Sequence, residues 1–390
     1  MIEPNVFCKA IHKAGIKFVT GVPDSLLKEF CRYVDKTYSN KNHVITTSEG
    51  AAVSLASGFY LATGGISLVY LQNSGLGNAI NPLLSLVDKE VYGFPMILLI
   101  GWRGNPNIEN FKDEPQHIKQ GRVTPTILNA IEIPFKVLST DDSIVEEQVS
   151  WAVNKAREIE GPVVILVNKD TFSKNNLKDT FSKSNLSQSA YTYDKVRLSR
   201  EETIKLIIKN IPSDSFIVSS TGMISRELYE TREYYNQCHS KDFLTVGSMG
   251  FASQIALGIC LAKPNKKVLC LDGDGAALMH LGGMASIGAS NSIKYRHILL
   301  NNGVHDSVGG QPTLGFKISF TKIAYACGYK KVIGPVLTAE EIKKGLEVMF
   351  CSDGPSFMEI QIKPGARQNL GRPRETPAQN RRLFQELLRQ

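Results

Sequence analysis

Lys267–Gly275, KVLCLDGDG, decides how this chain is read: the apolar run Val268 to Leu271 ends in alternating Asp and Gly and opens into a helical pattern over Ala276 to Ile287. An uninterrupted apolar run before such a turn marks a strand buried on both faces of a parallel sheet. Glycine there lets backbone approach a ligand closely, and the free N–H groups of a helix start favour phosphate. About 25 residues beyond Gly275 a second such strand, YRHILL, ends in Asn301-Asn302-Gly303. As neighbours, the two strands would deliver a carboxylate and a carboxamide to one carboxyl edge, where α/β sheets bind ligands. Asp274 and Asn302 are hard oxygen donors suited to Mg²⁺ or Ca²⁺, with neither His nor Cys placed for a softer metal. Mg²⁺ on so few protein ligands completes its octahedron with phosphate oxygens and water, which implies a phosphorylated cofactor.

Outward from this stretch the α/β alternation covers the chain. The spacing predicts strands at Lys17–Thr20, His43–Thr46, Ser67–Leu71, Pro95–Ile100, Phe135–Leu138 and Val163–Val167, then at Phe216–Ser219, Lys267–Leu271, Arg296–Leu300 and Ser356–Ile362. Helices are expected over Ser25–Lys36, Arg200–Lys209, Ser253–Leu261, Ala276–Ile287 and Ala339–Met349. Between the halves, residues 173–195 are rich in Ser, Asn, Lys and Asp and read as a linker. Two doubly wound parallel-sheet domains follow, 1–172 and 196–390, the second ending in an extended, arginine-bearing arm from Pro364 to Pro377 and a short helix. No short repeat is present, but the halves match in texture.

Composition narrows the function. Of 390 residues 42% are hydrophobic and 21% charged, a globular balance too long for one core. The net charge of +8 is spread along the chain, which suits anionic small molecules and lacks the aromatic-basic platform of a nucleic-acid binder. The longest apolar run, Phe94 to Ile100, is too short for a membrane helix, and no signal-peptide pattern opens the chain, so a cytoplasmic protein without a membrane partner is expected. Seven cysteines without a C-x-x-C read as reduced thiols. No G-x-G-x-x-G opens a helix after the first strand, which disfavours a dinucleotide-binding module.

The G-D-G turn followed by N-N resembles the diphosphate-binding signature of thiamine diphosphate enzymes. The resemblance implies that Asp274, Asn302 and the Val304 carbonyl bind Mg²⁺, while Gly273, Gly275 and Ala276 surround the diphosphate. It also implies cofactor contacts from Gly247, Ser248 and Met249, with Met249 as the apolar fulcrum under thiamine. The family needs a glutamate from its other domain to share a proton with the aminopyrimidine. Glu49, in Thr47-Ser48-Glu49-Gly50-Ala51-Ala52 at the head of a small-residue helix, matches that requirement.

With no domain between its halves, the chain resembles the compact phosphonopyruvate decarboxylases among thiamine-dependent 2-oxo acid decarboxylases. The matching strings are Thr20-Gly21-Val22-Pro23-Asp24-Ser25, Gly101-Trp102-Arg103-Gly104, Asp113-Glu114-Pro115-Gln116-His117, Asn301 to Thr313 and Pro364-Gly365-Ala366-Arg367. The chain departs from the family in carrying Asp306 where Glu is implied. The resemblance implies a homodimer or larger homo-oligomer with sites at subunit interfaces, Asp24 and His117 as proton-handling groups, and a small 2-oxo acid substrate. Phosphonopyruvate carries two anionic groups, for which Ser25, Arg103, Lys119 and Arg122 are the candidate donors, with the arginines of the arm as a further option. Sulfopyruvate decarboxylases share the G-V-P-D-S and G-G-Q-P-T strings, so that substrate stays open, as does a cofactor-binding subunit without turnover.

Overall fold

The structure is a computed structural model describing residues 1–39, 41–108, 113–174 and 197–390. The chain divides into two compact units, Met1–Asp179 and Thr180–Gln390. From residue 175 onward the expected linker lies outside the described residues.

The first unit contains α1 (Pro4–Lys13), β1 (Phe18–Gly21), α2 (Lys28–Thr37), β2 (His43–Ile45), α3 (Glu49–Thr63), β3 (Ser67–Gln72), α4 (Leu76–Pro82), β4 (Met96–Gly101), α5 (Pro115–Ala130), β5 (Phe135–Val137), α6 (Asp142–Ile159) and β6 (Pro162–Val167). Its six strands are all parallel in the order β2-β1-β3-β4-β6-β5. Alternate strand residues feed two cores, Leu68, Tyr70, Ile97 and Leu99 on one face and Val69, Leu71, Leu98 and Ile100 on the other. Burial on both faces is why these strands read as unbroken apolar runs.

The second unit holds α7 (Arg200–Asn210), β7 (Phe216–Ser219), α8 (Met223–Tyr234), β8 (Asp242–Leu244), α9 (Ala252–Ala262), β9 (Val268–Gly273), α10 (Asp274–Met279), α11 (Gly283–Ala289), β10 (Tyr295–Asn301), the short ribbon β11 (Val304–His305) and β12 (Gln311–Pro312), α12 (Phe320–Ala326), β13 (Lys331–Val336), α13 (Ala339–Cys351), β14 (Ser356–Gln361) and α14 (Pro377–Arg389). Its main sheet runs β13-β14-β10-β9-β7-β8, again wholly parallel. Leaving out the ribbon, that is the strand order of the first unit read from the other edge. The two halves are two copies of one topology, as their texture suggests.

All ten expected strands form. The two missed in the second sheet, β8 and β13, are its edges: β8 has three residues, and β13 carries Gly334-Pro335 at a register irregularity, which an edge position tolerates. The helix expected over Ala276–Ile287 is broken. It ends at Met279 and resumes at Gly283, past Gly282-Gly283, which leaves His280 packed on the Phe251 ring with centroids 4.1 Å apart. The α2 helix begins at Lys28 rather than Ser25, because the Asp24 carboxylate holds the preceding residues in a separate turn. Ser199, Thr338 and Thr376 close capping boxes on α7, α13 and α14.

His43, on β2, is buried and meets the Tyr70 hydroxyl through Nε2 at 2.9 Å; burial pulls it from 6.5 down to about 4. The unfolded chain therefore binds a proton between pH 6.5 and 4 that the folded chain refuses, so stability falls as pH drops through that window, by at most about 3 kcal/mol from this group. His117 and His305, also lowered to about 4, add slope of the same sign. His43→Gln is expected to flatten, without abolishing, the pH dependence of the thermal midpoint between pH 4.5 and 7.

Candidate active site

In the first unit the polar groups collect past the carboxyl ends of β1, β3 and β4. Asp24 is fully buried; Oδ2 accepts the N–H groups of Leu26 (3.0 Å) and Leu27 (3.3 Å), and Oδ1 accepts Gln72 Nε2 (2.5 Å). Burial pushes its carboxyl above the ordinary range, against the pull of Gln72 and Arg103. Arg103 runs along the same rim. Its Nη1 donates to Ser25 Oγ at 2.8 Å, its Nε donates to Asp113 Oδ2 at 2.8 Å, and its Nη2 donates to Asp113 Oδ1. Burial acts upward on Asp113, but the guanidinium outweighs it and holds the carboxyl at about 2. Asn73 clamps the Arg103 backbone from both sides, accepting its N–H at 3.2 Å and donating to its carbonyl at 2.9 Å.

His117, in the first turn of α5, is buried, and its Nδ1 has no hydrogen-bond partner among the described residues. Burial first and Arg103 second lower it to about 4, so the ring is neutral at pH 7. Asp24, Ser25, Arg103 and His117 form one neighbourhood. Lys119 and Arg122 are exposed on α5.

Glu49 opens α3 behind the Ser48 cap, where the helix dipole favours a carboxylate, yet it is buried. Burial raises its pKa, opposed by Asn78 Nδ2, which donates to Oε2 at 2.9 Å. Gly75 lies flat against it: a Cβ there would stand 2.6 Å from Glu49 Cγ and overlap the carboxylate. The stretch Gln72 to Gly75 therefore touches Asp24 at one end and Glu49 at the other.

In the second unit β9 and β10 pair in parallel, Leu300 opposite Gly273, so their ends lie within one residue of each other. Asp274 is buried, which raises it to about 6 although the Thr313 hydroxyl and the backbone N–H of Asn302 both bond to it. Asn302 donates through Nδ2 to Asp306 Oδ2 at 2.7 Å, and its Oδ1 accepts the Val304 N–H at 3.1 Å. Thr313 N–H donates to the Gly303 carbonyl, so in the ribbon's alternation Val304 opposite Pro312 is a non-hydrogen-bonded pair with its carbonyl turned outward. Beside Gly275 stand the His305 ring and Met249 Cε, 2.9 and 3.4 Å from where a Cβ would be. Ser248 holds φ +52, a left-handed strain of about 1–3 kcal/mol that sets the turn carrying Met249. Gly247, Ser248 and Met249, Gly273 to Ala276, Asn302 and Val304 thus all belong to this unit.

A buried carboxylate, a carboxamide and a freed carbonyl are an all-oxygen set, and the side-chain-free Gly275 leaves room beside them; these residues fit Mg²⁺ and a diphosphate. The expectation that no soft donor lies nearby needs correction. Cys270, Asp272 and His297 share one buried face of β9 and β10 with ligating atoms within 4.8 Å, because Cys270 and His297 are register partners. Tyr329 OH lies 3.0 Å from the His297 Nδ1, and Asp272 Oδ1 accepts the Gly273 N–H at 2.9 Å, so the group braces the turn from below. Sequence reasoning also missed Gln72, Gly75, Asn78, Thr313 and His305 as site residues. The polar string Gln72-Asn73-Ser74-Gly75 after a strand was the readable signal.

Two doubly wound units with these carboxyl-edge clusters define a class, the thiamine diphosphate enzymes. Residues 4–124 match the N-terminal TPP binding domain of thiamine pyrophosphate enzymes and residues 219–360 match the C-terminal one. The chain is 33% identical over 381 residues to phosphonopyruvate decarboxylase of Streptomyces viridochromogenes, covering 95% of this chain and 91% of that one. It is 31% identical to that of Streptomyces hygroscopicus (99% and 94% covered), and 25% identical to sulfopyruvate decarboxylase of Methanosarcina acetivorans (90% and 89%). The chain belongs to the phosphonopyruvate decarboxylase family of thiamine diphosphate-dependent decarboxylases, which are carbon–carbon lyases.

The packing of Gly75 on Glu49 generates a test. Gly75→Ala is expected to cost about 1–3 kcal/mol or to expel the carboxylate from its Asn78 bond. In a double-mutant cycle with Glu49→Ala the penalty should largely vanish, a coupling of at least about 1 kcal/mol in denaturant unfolding.

Proposed function

We propose that the protein decarboxylates 3-phosphonopyruvate to phosphonoacetaldehyde and CO₂, using thiamine diphosphate and Mg²⁺, as a step of phosphonate biosynthesis leading toward products such as 2-aminoethylphosphonate. The observation that carries the substrate is the 31–33% identity to phosphonopyruvate decarboxylases over 95–99% of the chain, against 25% over 90% for sulfopyruvate decarboxylase. Bound thiamine diphosphate supplies an electron sink for the carbon–carbon bond that breaks.

The chain's own residues do the rest. Asp274, Asn302 and the Val304 carbonyl would hold Mg²⁺ against the diphosphate, with Gly273, Gly275 and Ala276 around it and Gly247, Ser248 and Met249 along the thiamine. Glu49, buried and raised in pKa, would carry the proton shared with the pyrimidine nitrogen. Asp24, kept in a dry site, and His117, neutral and with no partner for Nδ1 among the described residues, are suited to move the proton that replaces CO₂. Arg103 and Ser25 are the proposed phosphonate contacts. Lys119 and Arg122, exposed, would raise the local potential for a multiply charged anion. The protein would act in the cytoplasm as a homodimer or larger homo-oligomer, the first domain of one subunit meeting the second domain of its partner. No helix among the described residues is long and apolar enough to cross a membrane.

A ³¹P NMR time course with Mg²⁺, thiamine diphosphate and 3-phosphonopyruvate, beside a tube following sulfopyruvate, tests the substrate. Thiamine-dependent phosphonoacetaldehyde with sulfopyruvate intact is expected; the reverse would transfer the assignment to sulfopyruvate. Glu49→Gln is expected to lower kcat by about 10²–10⁴-fold while the protein stays folded. Lys119→Ala with Arg122→Ala should lower kcat/KM at low ionic strength and leave it unchanged at high salt, which separates steering from contact.

A further inference from the structure

Asn302 can ligate a cation through only one half of its side chain. Its carboxamide has an acceptor end, Oδ1, and a donor end, Nδ2, and a flip about the terminal bond would turn N–H groups toward the metal. Two contacts select the orientation: the Val304 N–H donates to Oδ1 at 3.1 Å, and Asp306, the one side chain of the pair, takes the Nδ2 hydrogen on its Oδ2 at 2.7 Å. A carboxylate only accepts, so it admits one of the two flip states and leaves Oδ1 on the side of the Val304 N–H.

Asp306 is itself held from three directions. The same Oδ2 accepts Arg200 Nη1 at 2.9 Å, and Gly365 N–H reaches Oδ1 at 3.0 Å. Arg200 in turn forks onto Glu227, with Nε donating at 2.9 Å and Nη2 at 3.1 Å, and these two side chains are only 5% and 2% exposed. A bidentate pair buried between α7 and α8 is a rigid anchor, since removing either partner strands a buried charge.

We propose that Asp306 is a positioning residue that locks the Asn302 carboxamide with its oxygen toward the metal, and that Arg200 and Glu227 exist to hold it there. The inference rests on the reading of Asn302 as a Mg²⁺ ligand. Partners of this kind around metal ligands are worth about 10–100-fold in metal affinity. The chain's Asp, one methylene shorter than the Glu the family resemblance implies, reaches Asn302, Arg200 and Gly365 at once.

The test is Mg²⁺ titration of the full-length protein in saturating thiamine diphosphate, read by calorimetry, together with the thermal midpoint of the metal-free protein. Asp306→Asn presents a donor as well as an acceptor, so the amide loses its charged acceptor and keeps only the Val304 N–H to set its orientation. Its half-saturating Mg²⁺ should rise at least about tenfold. The decisive variant is Asn302→Asp combined with Asp306→Asn. Two equivalent oxygens at position 302 have no flip state, so losing the orienting partner no longer misdirects the ligand. The double variant is therefore expected to bind Mg²⁺ within about threefold of the wild type, short of the tenfold or greater loss that follows removal of such a partner. Wild-type affinity in Asp306→Asn, or weakened binding that the double variant does not restore, would overturn the inference while leaving the metal site standing. If the wild type itself takes up no Mg²⁺ with thiamine diphosphate, the metal reading fails and the inference with it.

Discussion

Much of the molecule's chemistry depends on the parallel pairing of β9 with β10. Their register sets Leu300 opposite Gly273, with β10 running one residue further to Asn301, and the residues that follow the two strands, Asp274 and Asn302, meet through the Asn302 N–H and the Asp274 carboxylate. A slip of one residue would turn every side chain of β10 to the opposite face and separate the pair. Burial then makes Asp274 costly as an anion, a cost that the Thr313 hydroxyl and the Asn302 N–H offset in part.

Burial acts in the same direction on the first unit's acids. Asp24 and Glu49 are both raised by loss of water, and both are reached by the single stretch Gln72 to Gly75 at the end of β3. Arg103 is neutralised by Asp113 on two sides, so it lends Asp24 only part of its charge. The result is two carboxyl groups raised by burial and a neutral imidazole, groups whose proton affinities lie apart from their values in water. Acid–base work at neutral pH needs that separation.

The carboxyl-terminal arm belongs to the same network. Rather than standing free as a lid, it is tied to its own unit: Gly365 to Asp306 and Arg200, Leu370 and Gly371 to Arg226, Gly371 to Glu230, and Arg367 to Glu201. One carboxylate, Asp306, serves both the arm and the Asn302 side chain. Order in the arm and orientation of the Asn302 carboxamide therefore share a hydrogen-bonding partner.

The ten expected strands, the doubly wound class and the Asp-Gly and Asn-Asn turns were legible in the chain because a strand buried on both faces must be apolar throughout, and a turn against a ligand must be small and polar. Edge strands β8 and β13 escaped because three residues, or a run broken by Gly-Pro, carry no such pattern. The break at Met279 escaped because apolar periodicity continues across it. Close approaches between distant segments were invisible in principle: Gly75 on Glu49, Thr313 on Asp274 and Cys270 beside His297; within loops, side-chain direction hid Arg103 taken up by Asp113 and Asp306 gripping Asn302. Local sequence determines which residue types occur at a strand end, since that depends on burial and turn geometry over a few positions. Which oxygen faces which hydrogen, and which charge is already neutralised, is decided only when the folded backbone brings the groups within 3 Å of one another, across a single turn for Asn302 and Asp306 and between distant segments for Thr313 and Asp274.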